Sequence, residues 1–270
     1  MARRARPVAE HDARMVEREH AGSTAVVTGG ARGIGYACAA ELAARGADVA
    51  LLDLLDETGA SAERLTAEHG VRAVAVRADV TDGPSVAAAL EEVAQRLAPP
   101  SLLVHAAGTA LVSDALDTTP EQWDRVLRVN LTGTFLVCQA FARARVAAGS
   151  GGTVVAIASM SARVVNVPQR QSAYNASKAG VEGLVRSLAV EWAPLGIRVN
   201  AVSPGYIATD QTRGVLEGDP ETAAAWRSRI PAGDVGAPED VAHAVAHLAS
   251  PRSRYVVGQC VTVDGGYTAL

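Results

Sequence analysis

The chain has little of what marks membrane proteins and nucleic-acid-binding proteins. None of its apolar runs approaches the roughly 18 residues that a membrane-spanning helix requires, so no membrane association is expected. The formal net charge is −4 and the pI is about 5.9, which argues against a nucleic-acid-binding surface. Aromatic residues contribute only 4%, although 49% of the 270 residues are hydrophobic. The core is therefore expected to consist mainly of Ala, Val and Leu, and the length suits one large domain or two small ones.

Cysteine is scarce as well. Cys38, Cys138 and Cys260 are widely separated, and they form neither a C-x-x-C pair nor a spacing typical of metal ligands. This pattern predicts three small buried side chains in a reducing compartment and no metal site.

Residues 1–22 are polar and charged, unlike the rest of the chain. Two adjacent arginines, Arg3 and Arg4, are followed by neither an apolar segment nor a small-residue cleavage site, so an export signal is not predicted. We expect a flexible N-terminal extension over 1–22 and a cytoplasmic location.

Lysine is nearly absent: Lys178 is the single lysine, and arginine makes up the rest of the 25 basic residues. It lies four residues after Tyr174, so on a helix the two side chains project from the same face. An ammonium beside a phenol favours the phenolate and lowers its pKa, which would make Tyr174 a general acid/base. The alternative interpretation is an ordinary amphipathic helix that carries a tyrosine.

From Ser23 onward, short apolar runs alternate with longer helical patterns, as in βαβ units. This alternation predicts one α/β domain over 23–270, a Rossmann-type doubly wound parallel sheet of about seven strands with helices on both faces. A single long helix is predicted over Pro120–Ala148. Residues 206–237 mix Gly, Pro and charge, and they predict a substrate loop with one short helix near 221–229.

Glycines and acidic residues follow the predicted strands at their carboxyl ends, where doubly wound sheets bind ligands. The turn after the first strand has the spacing G-x-x-x-G-x-G (Gly29, Gly33, Gly35), which differs from the standard G-x-G-x-x-G fingerprint. It suits either a bound pyrophosphate or simply a tight turn. Asp53, at the end of the second strand, suits the ribose hydroxyls of NAD and would repel the 2′-phosphate of NADP. Arg32 could instead bind that phosphate, and Asp53 could be a plain strand-end cap.

Taken together, these motifs resemble the short-chain dehydrogenase/reductase family of about 250 residues, over Thr24–Gly266. The resemblance rests on the glycine motif Thr28–Gly35, Asp79-Val80, Asn130, Tyr174 with Lys178, the turn Pro204–Thr209, and Val263–Gly266. It implies a nicotinamide cofactor, with NAD(H) preferred over NADP(H) because of Asp53. The cofactor-binding residues that it implies are Gly29, Arg32, Gly33, Ile34, Gly35, Asp53, Asp79, Val80, His105, Ala107, Gly108, Tyr174, Lys178, Pro204, Gly205, Ile207 and Thr209.

The resemblance also implies a catalytic tetrad of Asn130, Ser159, Tyr174 and Lys178. The usual serine-to-tyrosine spacing would select Ser161, but the end of the strand selects Ser159, and loops absorb insertions more readily than strand ends do. A second departure is His105, which stands where the family usually has asparagine. Its imidazole could contact the cofactor and add a pH dependence, but we favour an interpretation in which the side chain only packs and the backbone makes the contact.

The loop before Tyr174 resembles that of family members that act on polyols and sugars. It implies oxidation of a secondary alcohol on a polyol, sugar or sugar acid, with substrate contacts from Ser161, Asn166, Gln169, Gln171 and Tyr206. The alternatives are a 3-oxoacyl thioester reductase, a dehydrogenase of hydroxysteroids or other hydrophobic alcohols, and a catalytically silent NAD-binding sensor or scaffold. A homotetramer built on the two long helices, 120–148 and 174–192, is also implied.

Overall fold

The computed structural model describes residues 18–270, and within this range the chain forms one parallel sheet. Its seven strands lie in the order β3-β2-β1-β4-β5-β6-β7. The strands are β1 Thr24–Thr28, β2 Asp48–Asp53, β3 Ala73–Arg77, β4 Leu102–His105, β5 Gly152–Ile157, β6 Ile197–Pro204 and β7 Cys260–Val263. The predicted fold class is confirmed.

Helices cover both faces of the sheet. They are α1 Gly33–Ala44, α2 Thr58–His69, α3 Gly83–Arg96, α4 Pro120–Leu127, α5 Gly133–Ala147, α6 Ser172–Trp192, α7 Asp210–Gly218, α8 Pro220–Arg227 and α9 Pro238–Ala249. Among these described helices, none is both long and apolar enough to cross a membrane.

Each face of the sheet buries its own apolar core. Consecutive strand residues point to opposite faces, so Val26 packs in one core while Ala25 and Val27 pack in the other. The Val26 core includes side chains of α3, α5 and α6, whereas the other includes those of α1, α2 and α9. Because both faces are covered, the strands read as continuous apolar runs rather than alternating ones.

The strand order reverses between β1 and β4, and this reversal opens a crevice at the carboxyl edge of the sheet. Thr28 and His105 are paired there in register, as the last residues of the two strands. The loops that leave them touch, because a Cβ on Gly29 would lie 2.7 Å from the backbone nitrogen of Ala107.

Two predicted elements differ from the structure. The long helix 120–148 contains a π-helical turn over Arg128–Thr132, where the N–H of Gly133 donates to the carbonyl of Arg128. The segment 206–237 carries two helices, α7 and α8, instead of the single short helix near 221–229. The predicted helix corresponds to α8, whereas α7 was missed. Helix α7 follows Thr209, whose N–H donates to Thr212 Oγ1 at 2.9 Å, a local start signal that the prediction did not use.

The end of the predicted N-terminal extension packs against the domain. His20 is buried, and its backbone N–H donates to the carbonyl of Arg45 at 3.0 Å. The domain thus includes residues 18–22, which the sequence had assigned to the extension, while residues 1–17 lie outside the described part. Cys38 and Cys138 are buried as predicted, whereas Cys260 is only half-buried.

Candidate active site

A cleft of about 1060 Å³ runs along the carboxyl edge of the sheet and under α7 and α8. It is lined by every cofactor and substrate residue predicted from the sequence except His105, and by Ser159, Tyr174 and Lys178 of the predicted tetrad. Asn130 and His105 lie behind this lining, although both are buried close to it. The structure therefore gathers residues from the carboxyl ends of six strands, β1 to β6, into one place.

The glycine turn between β1 and α1 leaves no room for side chains. Gly29 and Gly33 have φ values of +64° and +58°, a region that L-residues rarely adopt. A Cβ on Gly35 would lie 2.0 Å from the carbonyl oxygen of Gly29. The first backbone N–H groups of α1 follow directly, so the turn fits the pyrophosphate of a dinucleotide despite its unusual spacing.

Asp53 ends β2 and faces the same cleft. One carboxylate oxygen accepts from the N–H of Leu54 at 2.7 Å and of Leu55 at 3.2 Å, and the other accepts from the N–H of Ala31 at 3.1 Å. Asp53 therefore also holds the glycine turn against the strand end. Arg32 on that turn is more than half exposed, and its guanidinium lies 3.8 Å from the carboxylate of Glu57.

Asp79 and Val80 lie beyond the end of β3. The Asp79 carboxylate accepts from both the N–H and the hydroxyl of Thr81 at 2.8 Å, which fixes the loop that lines the cleft. At the opposite end of the cleft, Gly205 follows β6. A side chain has no space there, because a Cβ would lie 2.7 Å from Cα of Asp264.

Tyr174 and Lys178 lie one above the other on α6, as their spacing predicted. The Lys178 ammonium is 5.7 Å from the centre of the Tyr174 ring and donates to the carbonyl of Ile157 at 2.8 Å. Burial lowers the pKa of Lys178 to about 8. The prediction of a lowered tyrosine pKa is wrong for the chain alone: burial raises the pKa of Tyr174, and the neighbouring Ser159 hydroxyl offsets only part of this.

Ser159 follows β5 and lies beside Tyr174. Its hydroxyl donates to Ser161 Oγ at 3.0 Å and accepts from the Ser161 N–H at 3.1 Å. Ser161 in turn donates to Asn166 Oδ1, and the amide nitrogen of Gln171 donates to both Ser161 and Asn166. Three residues predicted to bind substrate thus bond chiefly to one another, and they hold the serine in place.

Asn130 sits on the π-helical turn, a distortion that often marks functional positions. Its amide pairs with the backbone of Thr109: Oδ1 accepts from the N–H at 2.8 Å and Nδ2 donates to the carbonyl at 2.9 Å. A second bond from Nδ2 reaches Ser177 Oγ at 2.9 Å. Asn130 therefore connects the loop after β4 to α6, next to Lys178.

His105 is buried between β1 and β4 instead of facing the cleft. Its Nδ1 hydrogen-bonds Thr28 Oγ1 at 2.9 Å, and its Nε2 has no partner among residues 18–270. Burial, aided by the charge of Lys178, lowers the pKa of His105 to about 3. The side chain therefore packs as expected, but Ala106 and Ala107 line the cleft instead of His105, whose own backbone was expected to contact the cofactor.

Gln169 and Tyr206 meet Trp226, a residue that sequence reasoning missed. Trp226 of α8 is buried and stacks on the Tyr206 ring with centroids 4.1 Å apart. Both side chains donate to Gln169 Oε1, at 3.1 Å from the indole and 3.2 Å from the phenol. The rarity of tryptophan was the signal that could have identified Trp226, since the chain has only three tryptophans and one of them falls in the predicted substrate loop.

Comparison with known proteins agrees with this arrangement. A family model described as enoyl-(acyl carrier protein) reductase matches residues 29–268. The chain is 45% identical over 249 residues to the galactitol 2-dehydrogenase (L-tagatose-forming) of Cereibacter sphaeroides, across 92% of this chain and 95% of that enzyme. It is 42% identical over 250 residues to the (3R)-3-hydroxyacyl-CoA dehydrogenase of Mus musculus, across 90% and 95% of the two chains.

A solved structure from Agrobacterium tumefaciens superposes with a TM-score of 0.84 at 38% identity, covering 93% of this chain and 98% of that one. That protein is described as a candidate 2-deoxy-D-gluconate 3-dehydrogenase and has NADP bound. The family model, the identities and the glycine turn agree with the resemblance that the motifs indicated. The chain belongs to the short-chain dehydrogenase/reductase family, a family of oxidoreductases that bind a nicotinamide cofactor.

Proposed function

We propose that this protein is an NAD(H)-dependent dehydrogenase that interconverts a secondary alcohol and a ketone on a polyol, sugar or sugar acid. One observation carries the proposal: Ser159, Tyr174 and Lys178 lie together in a cleft whose adjoining wall is rich in hydroxyl and amide groups. The identity to a galactitol 2-dehydrogenase supports the same substrate class.

The dinucleotide would lie along the carboxyl edge of the sheet. We assign its pyrophosphate to the turn Gly29–Gly35 and its adenosine ribose to Asp53, with Asp79 and Val80 beside the adenine. The turn Pro204–Thr209 and Lys178 would hold the nicotinamide end. Asp53 favours NAD because a 2′-phosphate would meet its carboxylate. The Agrobacterium protein has NADP bound, which favours the other cofactor, so NAD and NADP must be compared as cofactors of this chain.

The residues of the chain itself remove the proton of the substrate hydroxyl. When bound, the oxidised nicotinamide supplies the acceptor for the hydride that leaves the carbinol carbon. Tyr174 removes the hydroxyl proton as phenolate, and Ser159 donates a hydrogen bond to the reacting oxygen. The Lys178 ammonium favours the phenolate, against the burial that raises its pKa in the chain alone. Asn130, next to Lys178, would connect the site to solvent through a water molecule.

A 3-oxoacyl thioester reductase is the second candidate, favoured by the identity to the mouse (3R)-3-hydroxyacyl-CoA dehydrogenase. The wall around Ser161 argues against it, because buried hydroxyls and amides suit a polyhydroxylated ligand better than an acyl chain. The two functions differ in substrate but share Tyr174 and Lys178.

We also propose that the protein assembles as a homotetramer through the paired helices α4–α5 and α6. Trp123 of α4 and Phe135 of α5 are partly exposed, and large apolar side chains of this kind are enriched at protein interfaces, which supports the proposal. Light scattering on the purified chain would measure the mass directly.

The proposal is tested by following reduced nicotinamide absorbance with NAD or NADP and a panel of polyols, sugar acids, simple secondary alcohols and 3-hydroxyacyl thioesters. We expect turnover with NAD on a polyol or sugar acid. Turnover confined to NADP(H) and thioesters would replace this proposal with the second candidate. The absence of turnover on every substrate, with NADH still bound, would favour a sensor.

Tyr174→Phe removes the phenolic hydroxyl and should reduce kcat by about 10²- to 10⁴-fold. Tyr255→Phe is the matched control, because that side chain is 98% exposed. Equal turnover in the two variants would mean that Tyr174 is not the general acid/base.

A further inference from the structure

The carboxamide of Gln169 is held in one orientation by two donors from other elements. Gln169 lies in the loop after β5, whereas Tyr206 follows β6 and Trp226 belongs to α8. Both donate to the same atom, Oε1, at 3.2 Å and 3.1 Å respectively.

The chemistry of the two donors determines which amide atom faces them. An indole N–H can only donate, so the atom it meets must be the amide oxygen. Burial raises the pKa of Tyr206 to about 12, so the phenol also keeps its proton at any working pH. The –NH₂ group of Gln169 is therefore turned away from both aromatic rings.

That –NH₂ group differs from the other amides of the wall. The amide nitrogen of Gln171 already donates to Ser161, Asn166 and Asn175. Within residues 18–270, both side-chain hydrogen bonds of Gln169 go to Oε1 and none involves its nitrogen, and the half-buried Gln169 lines the same cleft as Tyr174. A directed donor of this kind loses little conformational freedom when a ligand arrives.

We infer that Gln169 is a specificity-determining residue whose –NH₂ group donates to a substrate oxygen remote from the reacting carbon, and that Trp226 and Tyr206 are its positioning residues. The substrate class that fits is one with a hydroxyl or carboxylate oxygen beyond the carbinol carbon. This inference rests on the proposed function and names the residue that recognises the additional oxygen.

The experiment measures kcat and KM for the best polyol or sugar acid, and for a simple secondary alcohol, in Gln169→Met and Trp226→Phe. Met keeps the length of the side chain without the amide, and Phe keeps an aromatic ring without the N–H. Gln95→Met and Trp192→Phe make the same changes outside the cleft. The KM for NAD and the melting temperature report on the fold.

For Gln169→Met we expect the polyol KM to rise about tenfold, the effect of one lost hydrogen bond, with KM for NAD and turnover of the simple alcohol unchanged. Trp226→Phe should raise the polyol KM in the same direction by a smaller factor, because Tyr206 still holds the amide. Both control variants should behave as the native chain.

Unchanged polyol KM in Gln169→Met would overturn the inference while leaving the proposed function intact. If the polyol KM rises in Gln169→Met but not in Trp226→Phe, the positioning role of Trp226 is overturned. If turnover fell equally on the polyol and on the simple alcohol, Gln169 would have a general structural role, and the inference would again be overturned. If the native chain turns over no polyol or sugar acid, the proposed function fails first.

Discussion

At the scale of single residues, burial dominates the electrostatics of the site. Lys178 and Tyr174 are both pushed towards their neutral forms: the pKa of the lysine falls to about 8 and that of the tyrosine rises. A charged lysine near neutral pH thus costs folding free energy, which is consistent with the catalytic role that we propose for Lys178. Catalytic groups commonly carry such a cost.

Lys178→Met should stabilise the protein at pH 7 by about 1–3 kcal/mol while removing activity, since it deletes a buried charge. The folded pKa of about 8 lies below the ordinary 10.5, so the cost is complete below pH 8 and declines as the pH rises towards 10.5. Urea unfolding at pH 7 and pH 10 should show the advantage of the variant shrinking. A variant less stable than the native chain at pH 7 would contradict this.

His105→Asn should protect the protein against acid. The pKa of His105 falls from 6.5 to about 3 on folding, so only the unfolded chain takes up this proton between these values, and stability drops as the pH falls. At pH 5 the penalty is about 2 kcal/mol. Comparing urea unfolding at pH 7 and pH 5 measures it, with the exposed His247→Asn as control. If both variants lost the same stability between pH 7 and pH 5, the acid sensitivity would not arise from His105.

At the scale of elements, two helices are shaped by the loops that border the cleft. The helix 120–147 accommodates a π-turn, and Asn130 on that turn reaches the loop after β4. Helix α1 begins with glycines because the preceding turn passes against it. Neither feature follows from helix propensity, which would favour an uninterrupted helix and a residue other than glycine.

Gly35→Ala should weaken NADH binding at least tenfold and destabilise the fold by about 1–3 kcal/mol, because its Cβ would overlap the carbonyl of Gly29 and displace the turn. Gly59→Ala on α2 is the matched control, since a Cβ there meets nothing within 4 Å. That control should be neutral or stabilise by about 0.5–1 kcal/mol. NADH fluorescence titration and thermal melts measure both effects, and equal behaviour of the variants would disprove the overlap.

At the scale of the whole molecule, the segment before β1 joins the ends of two packed helices. The Glu19 carboxylate accepts from Arg45 at 2.6 Å, just beyond α1, and from Ser250 at 2.7 Å, just beyond α9. Helices α1 and α9 share one of the two cores. The N-terminal segment therefore ties together the C-terminal ends of α1 and α9.

Glu19→Ala should reduce the free energy of unfolding by about 1–3 kcal/mol without changing KM for NAD or substrate, because it removes two hydrogen bonds, from Arg45 and from Ser250, while Arg45 keeps its bonds to Glu41. Glu63→Ala, at an exposed position on α2, is the control and should have little effect. Chemical denaturation with parallel kinetics measures both quantities. A change in KM with no loss of stability would contradict this role.

The sequence alone was sufficient for the fold class, for the order of the functional segments along the chain and for most of the predicted residues that line the cleft. Apolar runs, glycine turns and strand-end acids are local signals, and parallel strands bring their carboxyl ends together whatever lies between them. The positions of Gly35, Asp53, Tyr174 and Lys178 could be predicted for that reason.

Only the tertiary structure decided what depends on contacts between distant segments. The direction of the Tyr174 pKa follows from burial, the mutual bonding of Ser161, Asn166 and Gln171 from loop packing, and the partnership of Gln169 with Trp226 from two elements 57 residues apart. Desolvation and hydrogen-bond satisfaction are properties of the packed chain, so no local pattern of residues could specify them.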